Sequence, residues 1–360
     1  MSDSLRTRTP SLIRWILLLF VLMDVASISV ASAADKTLSR IAFGSCCKQD
    51  KPQPIWDSIV AGRPELFLMI GDNIYGDSSD MSVLKAKWDM LLAQPGYQKL
   101  KKTCPILATW DDHDYGGDDA GSEFARRAES QQLFLDVFDE PAGTPRRKQE
   151  GVYASYEYGD ADHRVQVILT DTRFHRSPLK KNGRKKGEPG YFGPYAENTD
   201  PGATILGEAQ WKWLEAQLRK PAKVRILASS VQILPNEHHW EKWGNFPAER
   251  DRLFKLIRET RAGGVILISG DRHTAEISRD DKQVGYPLFD VTSSSLNAPG
   301  TLNKSEPNSL RTGPLYSPEN FGFITINWSL PDPVISLEVR DIHGAPVETQ
   351  RVRLSELQLK

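Results

Sequence analysis

Five short clusters in this 360-residue chain gather side chains that could bind cations or phosphate. They are Gly44-Ser45-Cys46, Gly71-Asp72-Asn73-Ile74-Tyr75-Gly76-Asp77, Trp110-Asp111-Asp112-His113-Asp114, Asp171-Thr172-Arg173 and Gly270-Asp271-Arg272-His273. In the second cluster a glycine lets the chain turn sharply and presents Asp72 on the turn, where one carboxylate can bridge two cations. Tyr75 adds a phenolate, a hard oxygen donor suited to a trivalent metal. Asp271 and His273 flank one residue across a tight turn and can reach the same cavity, and Cys46 can join them as a soft thiolate ligand. Asp111, Asp112, His113 and Asp114 are four titratable groups in a row, a costly arrangement unless cations or hydrogen bonds offset the repulsion. Arg173 suits a phosphate clamp, because a guanidinium pairs with two phosphate oxygens. An internal ion pair with Asp171 is the alternative. His113 is the candidate for proton transfer to a leaving oxygen, with Asp112 beside it in the catalytic group.

Taken singly, each motif has a plainer reading. Gly-Asp after a strand is commonly a turn or a helix cap, a free cysteine is commonly a small buried hydrophobe, and His113 could simply order its neighbours. What favours chemistry is the recurring position. Each cluster follows a short apolar run of strand length: residues 40–43, 66–70, 105–108, 165–169 and 265–268. In open α/β sheets ligands bind outside the carboxyl ends of strands.

The remaining elements suit that arrangement. Trp211, Leu214 and Leu218 share one helical face, and Leu253, Phe254 and Ile257 follow a helix start at Pro247. Strands alternating with helices predict an α/β fold with a largely parallel or mixed sheet. Val231–Leu234 reads as a further strand, and 323–328 and 335–339 as an antiparallel hairpin. The stretch Leu179–Thr204 lacks periodicity and carries Lys180, Lys181, Arg184, Lys185 and Lys186. It is a solvated loop by default, with an active-site lid that draws anions as the alternative. His238 and His239 are adjacent, so at most one can face a common centre, and they are not read as a metal site.

Lys plus Arg total 46 against 47 Asp plus Glu, so no overall field favours nucleic acid or an anionic membrane. A small phosphate-ester substrate fits better, and no stable nucleic-acid partner is expected. Arg6, Arg8 and Arg14 precede the apolar run Trp15–Met23, which Asp24 interrupts, and small residues follow to Ala33. This reads as a signal peptide, residues 1–33, cleaved after Ala33. It predicts export to the periplasm or medium by the general secretory route, with no membrane span in the mature chain. One domain is expected over residues 36–360. Cys46, Cys47 and Cys104 make an odd set, so either Cys47 pairs with Cys104 or all three are buried thiols.

Together, the five ordered motifs resemble the alkaline phosphatase D family, the PhoD-like branch of the metallophosphatases, from about Arg40 to Asn320. The resemblance implies a sandwich of two mixed β-sheets flanked by helices. It also implies a centre of one ferric ion (Fe3+) with calcium (Ca2+). Carried over, Cys46, Asp72, Tyr75 and His273 hold the iron, Asp72 bridges, and Asp271 helps to hold calcium. The family's further calcium ligand is usually an asparagine shortly after the Asp-Asp-His motif, and Asp118 fills that place here. The secreted type carries an extra β-sandwich before the catalytic domain, for which the residues ahead of Arg40 leave no room. The function implied is metal-assisted hydrolysis of phosphate monoesters. The rivals are a phosphodiesterase acting on phospholipids or nucleotides, and a non-catalytic calcium-binding protein. Against the last, calcium favours neither a thiolate nor a phenolate.

Overall fold

All five apolar runs are strands in the computed structural model, which describes residues 36–301 and 306–359. In chain order the first half contains β1 (Arg40–Gly44), α1 (Ile55–Ala61), β2 (Leu66–Ile70), α2 (Met81–Leu92), α3 (Pro95–Thr103), β3 (Ile106–Thr109), α4 (Asp112–Tyr115), α5 (Arg127–Val137), β4 (Ala154–Tyr158) and β5 (Val165–Leu169). A two-residue pairing, β6 (Lys180–Lys181) with β7 (Tyr195–Ala196), pins the basic loop. The second half contains α6 (Gly207–Leu218), β8 (Val224–Ala228), α7 (Pro247–Glu259), β9 (Val265–Ser269), β10 (Ala275–Asp280), β11 (Leu288–Ser293), β12 (Asn320–Asn327), β13 (Val334–Asp341) and β14 (Pro346–Arg353).

Two six-stranded sheets result, with orders β14-β13-β12-β1-β2-β3 and β10-β11-β9-β8-β5-β4. Both are mixed. β1, β2 and β3 run parallel, as do β5, β8, β9 and β11, and antiparallel strands complete each sheet. The sequence pattern explains the layering. Along β2, Leu66, Leu68 and Ile70 join a core shared with Val167, Leu169, Ile226 and Ile268 of the other sheet. Phe67 and Met69 point the other way, into a second core with Trp56, Trp88, Tyr97 and Phe134. A strand buried on both faces reads as an unbroken apolar run.

α6 buries Trp211, Leu214 and Leu218, and α7 buries Leu253, Phe254 and Ile257. β12 and β13 form the expected antiparallel pair. One expected strand is displaced. Val231–Leu234 is irregular, and the strand is Val224–Ala228. The N–H groups of Ile233 and Leu234 both donate to the buried Asp290 carboxylate at 2.9 Å, which replaces a ladder. Cys46, Cys47 and Cys104 are all buried free thiols, so the Cys47–Cys104 bond does not form. The expected signal peptide, residues 1–33, lies outside the described residues. Among the described residues no helix is long and apolar enough to cross a membrane.

Candidate metal centre

The clusters meet where the parallel strands end, and the backbone there is strained. Cys46, Asp72, Asp77, Asp119, Asp271 and His273 all have left-handed φ, between 47° and 68°. Non-glycine residues adopt this region rarely, and such strain concentrates at functional sites. Gly71 is obligatory at the turn before Asp72: its φ is 108°, and a Cβ there would lie 2.6 Å from that of Asp111.

These turns bring four different donors together. Cys46 Sγ lies 3.2 Å from Asp72 Oδ2, which is 3.5 Å from Tyr75 Oη, which is 3.3 Å from His273 Nε2. His273 Nδ1 lies 2.5 Å from the Ala298 carbonyl, so Nδ1 must be the protonated nitrogen and Nε2 presents its lone pair to the group. Burial lowers the pKa of His273, which keeps it neutral as a ligand must be. Burial pushes the Cys46 thiol up to about 11. It also raises Asp72 and Tyr75 well above their ordinary ranges, and neighbouring negative groups add to the effect. Without a cation these groups would be held protonated. A bound cation inverts that preference.

A second set of donors is all carboxylate. Asp72, Asp111, Asp112 and Asp271 place one oxygen each within 4.8 Å of one another, and Asp72 also groups with Asp112 and His113. Asp72 is common to every such group. Asp72 Oδ1, Asp111 Oδ2 and Asp112 Oδ1 are buried with no hydrogen-bond partner. Buried polar atoms are normally satisfied, so these orphaned oxygens fit metal coordination.

Three sequence expectations are placed differently by the geometry. Asp118 lines the cavity but is exposed and belongs to none of the close donor groups. Asp112, read in sequence as catalytic, provides the carboxylate beside Asp72 and Asp271. Arg173 is fully buried and held in internal ion pairs. It donates from Nε to Asp111 at 2.5 Å, its Nη1 pairs with Glu241 at 2.8 Å, and Arg176 contacts the same glutamate at 3.0 Å. The ion pair is therefore internal, but with Asp111 and Glu241; Asp171 instead accepts the backbone N–H groups of Val152, Arg173 and Phe174.

The row of four titratable groups divides by direction. Asp111 turns to Arg173 and Ser230, and Asp114 accepts the Asp111 N–H at 2.6 Å. Asp112 and His113 face the cavity. His113 Nδ1 lies 2.6 Å from Asp77 Oδ1. Burial alone would lower the His113 pKa, but the Asp77 hydrogen bond and the charges of Asp112 and Asp77 raise it to about 9. Asp77, Glu241 and Arg272 were not assigned roles from sequence. Asp77 lies in the Asp72 motif, yet only the fold reveals its partner.

The cavity over the donors measures about 520 Å³. It is also lined by Lys186, Tyr191 and Tyr195 of the basic loop, and by Trp240, Arg272 and Glu306. Tyr195 donates to Asp119, which ties that loop to the turn after α4. Of the adjacent histidines, His238 is buried against Gln232 at 2.9 Å and belongs to none of the donor groups found among the described residues.

A two-sheet α/β sandwich with mixed thiol, phenol, imidazole and carboxylate donors at its strand ends is of the metallophosphatase class. The model of the PhoD-like phosphatase family matches residues 41–312, and the chain belongs to that family. Alkaline phosphatase D of Bacillus subtilis (strain 168) is 23% identical over 191 residues, spanning 48% of this chain and 31% of that protein. This chain thus matches about a third of that relative's length. The solved structure of PhoD is similar with a TM-score of 0.66 and 17% identity, over 89% of this chain and 69% of that one. A dimetal phosphatase from Danio rerio is similar with a TM-score of 0.53 and 11% identity, over 89% of this chain and all 100% of that one. At these identities the structural likenesses concern the fold.

Proposed function

We propose that the protein is an exported, metal-dependent hydrolase of phosphate monoesters. The observation that carries this reading is Asp72: it belongs to every close donor group, and one of its oxygens is buried without a partner. Cys46, Asp72, Tyr75 and His273 would hold a ferric ion, and Asp72, Asp112 and Asp271 would hold calcium, Asp72 being common to both donor sets. When bound, such cations neutralise phosphoryl oxygens and acidify water toward hydroxide. The chain's own residues do the rest. Ala298 fixes the ring of His273, so Nε2 stays aimed at the centre. Asp77 orients His113, which is protonated below pH 9 or so and gives its proton to the leaving oxygen. Leu169, Ile226 and the rest of the core between the sheets keep the strand ends in place.

Diester hydrolysis is a second reading, favoured by one feature. The cavity of about 520 Å³ extends past the donors to Tyr191 and Trp240, leaving room for a second substituent. A binding protein for calcium alone is disfavoured by the thiol and phenol beside Asp72. The test is the initial rate on a matched aryl phosphate monoester and diester, before chelation, after it, and with calcium restored. Hydrolysis that returns with calcium supports the reading, and the faster ester decides between the two activities. No turnover of either ester with calcium bound would end it. Export is tested separately: the mature chain should begin at Ala34.

A further inference from the structure

We infer that Arg272, rather than Arg173, grips the phosphoryl oxygens of the substrate; the inference rests on the phosphate-ester reading above. The wall of the cavity is crowded with acids, since Asp112, Asp118, Asp119, Glu241, Asp271 and Glu306 all line it. Cations at the donors would offset part of that negative charge, but only a side chain with directed N–H groups can also orient the phosphoryl oxygens. Arg173 cannot do so, because its guanidinium is fully buried and taken up by Asp111 and Glu241. Among the described residues, Arg272 and Lys186 are the arginine and lysine of the wall, and His113 is the proton donor. Lys186 sits on the long loop, whereas Arg272 lies between Asp271 and His273 on the donor turn itself.

The geometry holds Arg272 ready for this task. Its Nη2 donates to Glu306 at 2.7 Å, and its guanidinium lies 5.5 Å from the centre of the Trp240 ring, whose own Nε1 donates to the same glutamate at 3.1 Å. Glu306 and Trp240 therefore hold the guanidinium against the cavity wall. Among the described residues its Nε and Nη1 make no hydrogen bond to protein, and neither is a buried orphan, so both remain available to a ligand in the cavity. A planar fork with free donors suits two phosphate oxygens, which a lysine in its place could not match.

The experiment measures binding of inorganic phosphate by titration calorimetry to the calcium- and iron-loaded protein, alongside KM for an aryl phosphate monoester and metal content by elemental analysis. Arg272→Ala should raise both the phosphate Kd and KM about 10- to 100-fold, the loss of charge-assisted hydrogen bonds, with metal content unchanged. Arg272→Lys keeps the charge and should fall between. Glu306→Gln separates binding from bracing. If Arg272 binds phosphate, this variant retains phosphate binding; if Arg272 only braces Glu306, both variants lose it equally. Phosphate binding by Arg272→Ala within twofold of the parent, at equal metal content, would overturn the inference and leave the hydrolase reading intact. A loaded parent protein that neither binds phosphate nor hydrolyses the ester would overturn both.

Discussion

Arg173→Met separates a buried brace from a substrate clamp. In the structure Arg173 compensates two buried carboxylates, Asp111 at 2.5 Å and Glu241 at 2.8 Å. After the substitution Glu241 keeps Arg176, but Asp111 keeps only the Ser230 hydroxyl at 2.6 Å. Removing one partner from a buried pair costs about 3–5 kcal/mol. Unfolding entropy of about 2.1 cal/mol/K per residue, over roughly 320 residues, gives about 0.7 kcal/mol/K. The melting temperature should therefore fall by about 4–7 °C. Calorimetric melting in the presence of a chelator isolates this effect from metal binding. Adding Asp111→Asn removes the stranded carboxylate and should recover a large part of the loss, a coupling that a double-mutant cycle measures. A melting temperature within about 1 °C of the parent, combined with a tenfold higher KM, would refute the brace and return Arg173 to the substrate.

Other outcomes follow from the same geometry. Asp77→Asn should lower kcat by about 10- to 100-fold with KM and metal content nearly unchanged, because His113 loses the carboxylate that orients it and favours its protonated form; steady-state kinetics with elemental analysis checks this. Asp118→Asn should leave calcium dependence unchanged, as measured by calcium titration of the chelated protein, since Asp118 stands outside the close donor groups. His238 is held neutral, its pKa well below the ordinary value chiefly through burial. Only the unfolded chain then takes up this proton as pH falls below about 6.5, so the contribution is complete above that pH and lost beneath it, by up to about 1.4 kcal/mol per pH unit. His238→Gln should flatten the stability profile between pH 6.5 and 5.5 by about one proton, and an unaltered slope in urea unfolding would refute that assignment.

The donor residues were legible in sequence because local geometry creates them. Asp72 and Tyr75 share one turn, Asp271 and His273 another, and each turn follows a strand whose unbroken apolar run marks burial on both faces. Where tertiary contacts decide, sequence reading fell short. Arg225 breaks the apolar pattern of β8, yet its guanidinium is absorbed by the carbonyls of Ala222 at 3.1 Å and Gly263 at 2.6 Å. Glu276 likewise interrupts β10 and is matched by Arg311, while Asp290 in β11 serves the N–H groups of Ile233 and Leu234. Arg173 carried the right chemistry for phosphate, but its partner Glu241 lies 68 positions away in sequence, and nothing local announces that pairing. The basic loop shows no periodicity in sequence, and only the tertiary fold brings Lys186, Tyr191 and Tyr195 to the cavity wall.

The central claim is a two-cation centre bridged by Asp72, and metal stoichiometry tests it most directly. The parent protein and Asp72→Asn would be loaded with iron and calcium, freed of loose ions, and measured by elemental analysis. The account predicts two cations per parent chain, with loss of at least one from Asp72→Asn together with ester hydrolysis. Equal metal content and equal hydrolysis in the two proteins would contradict it.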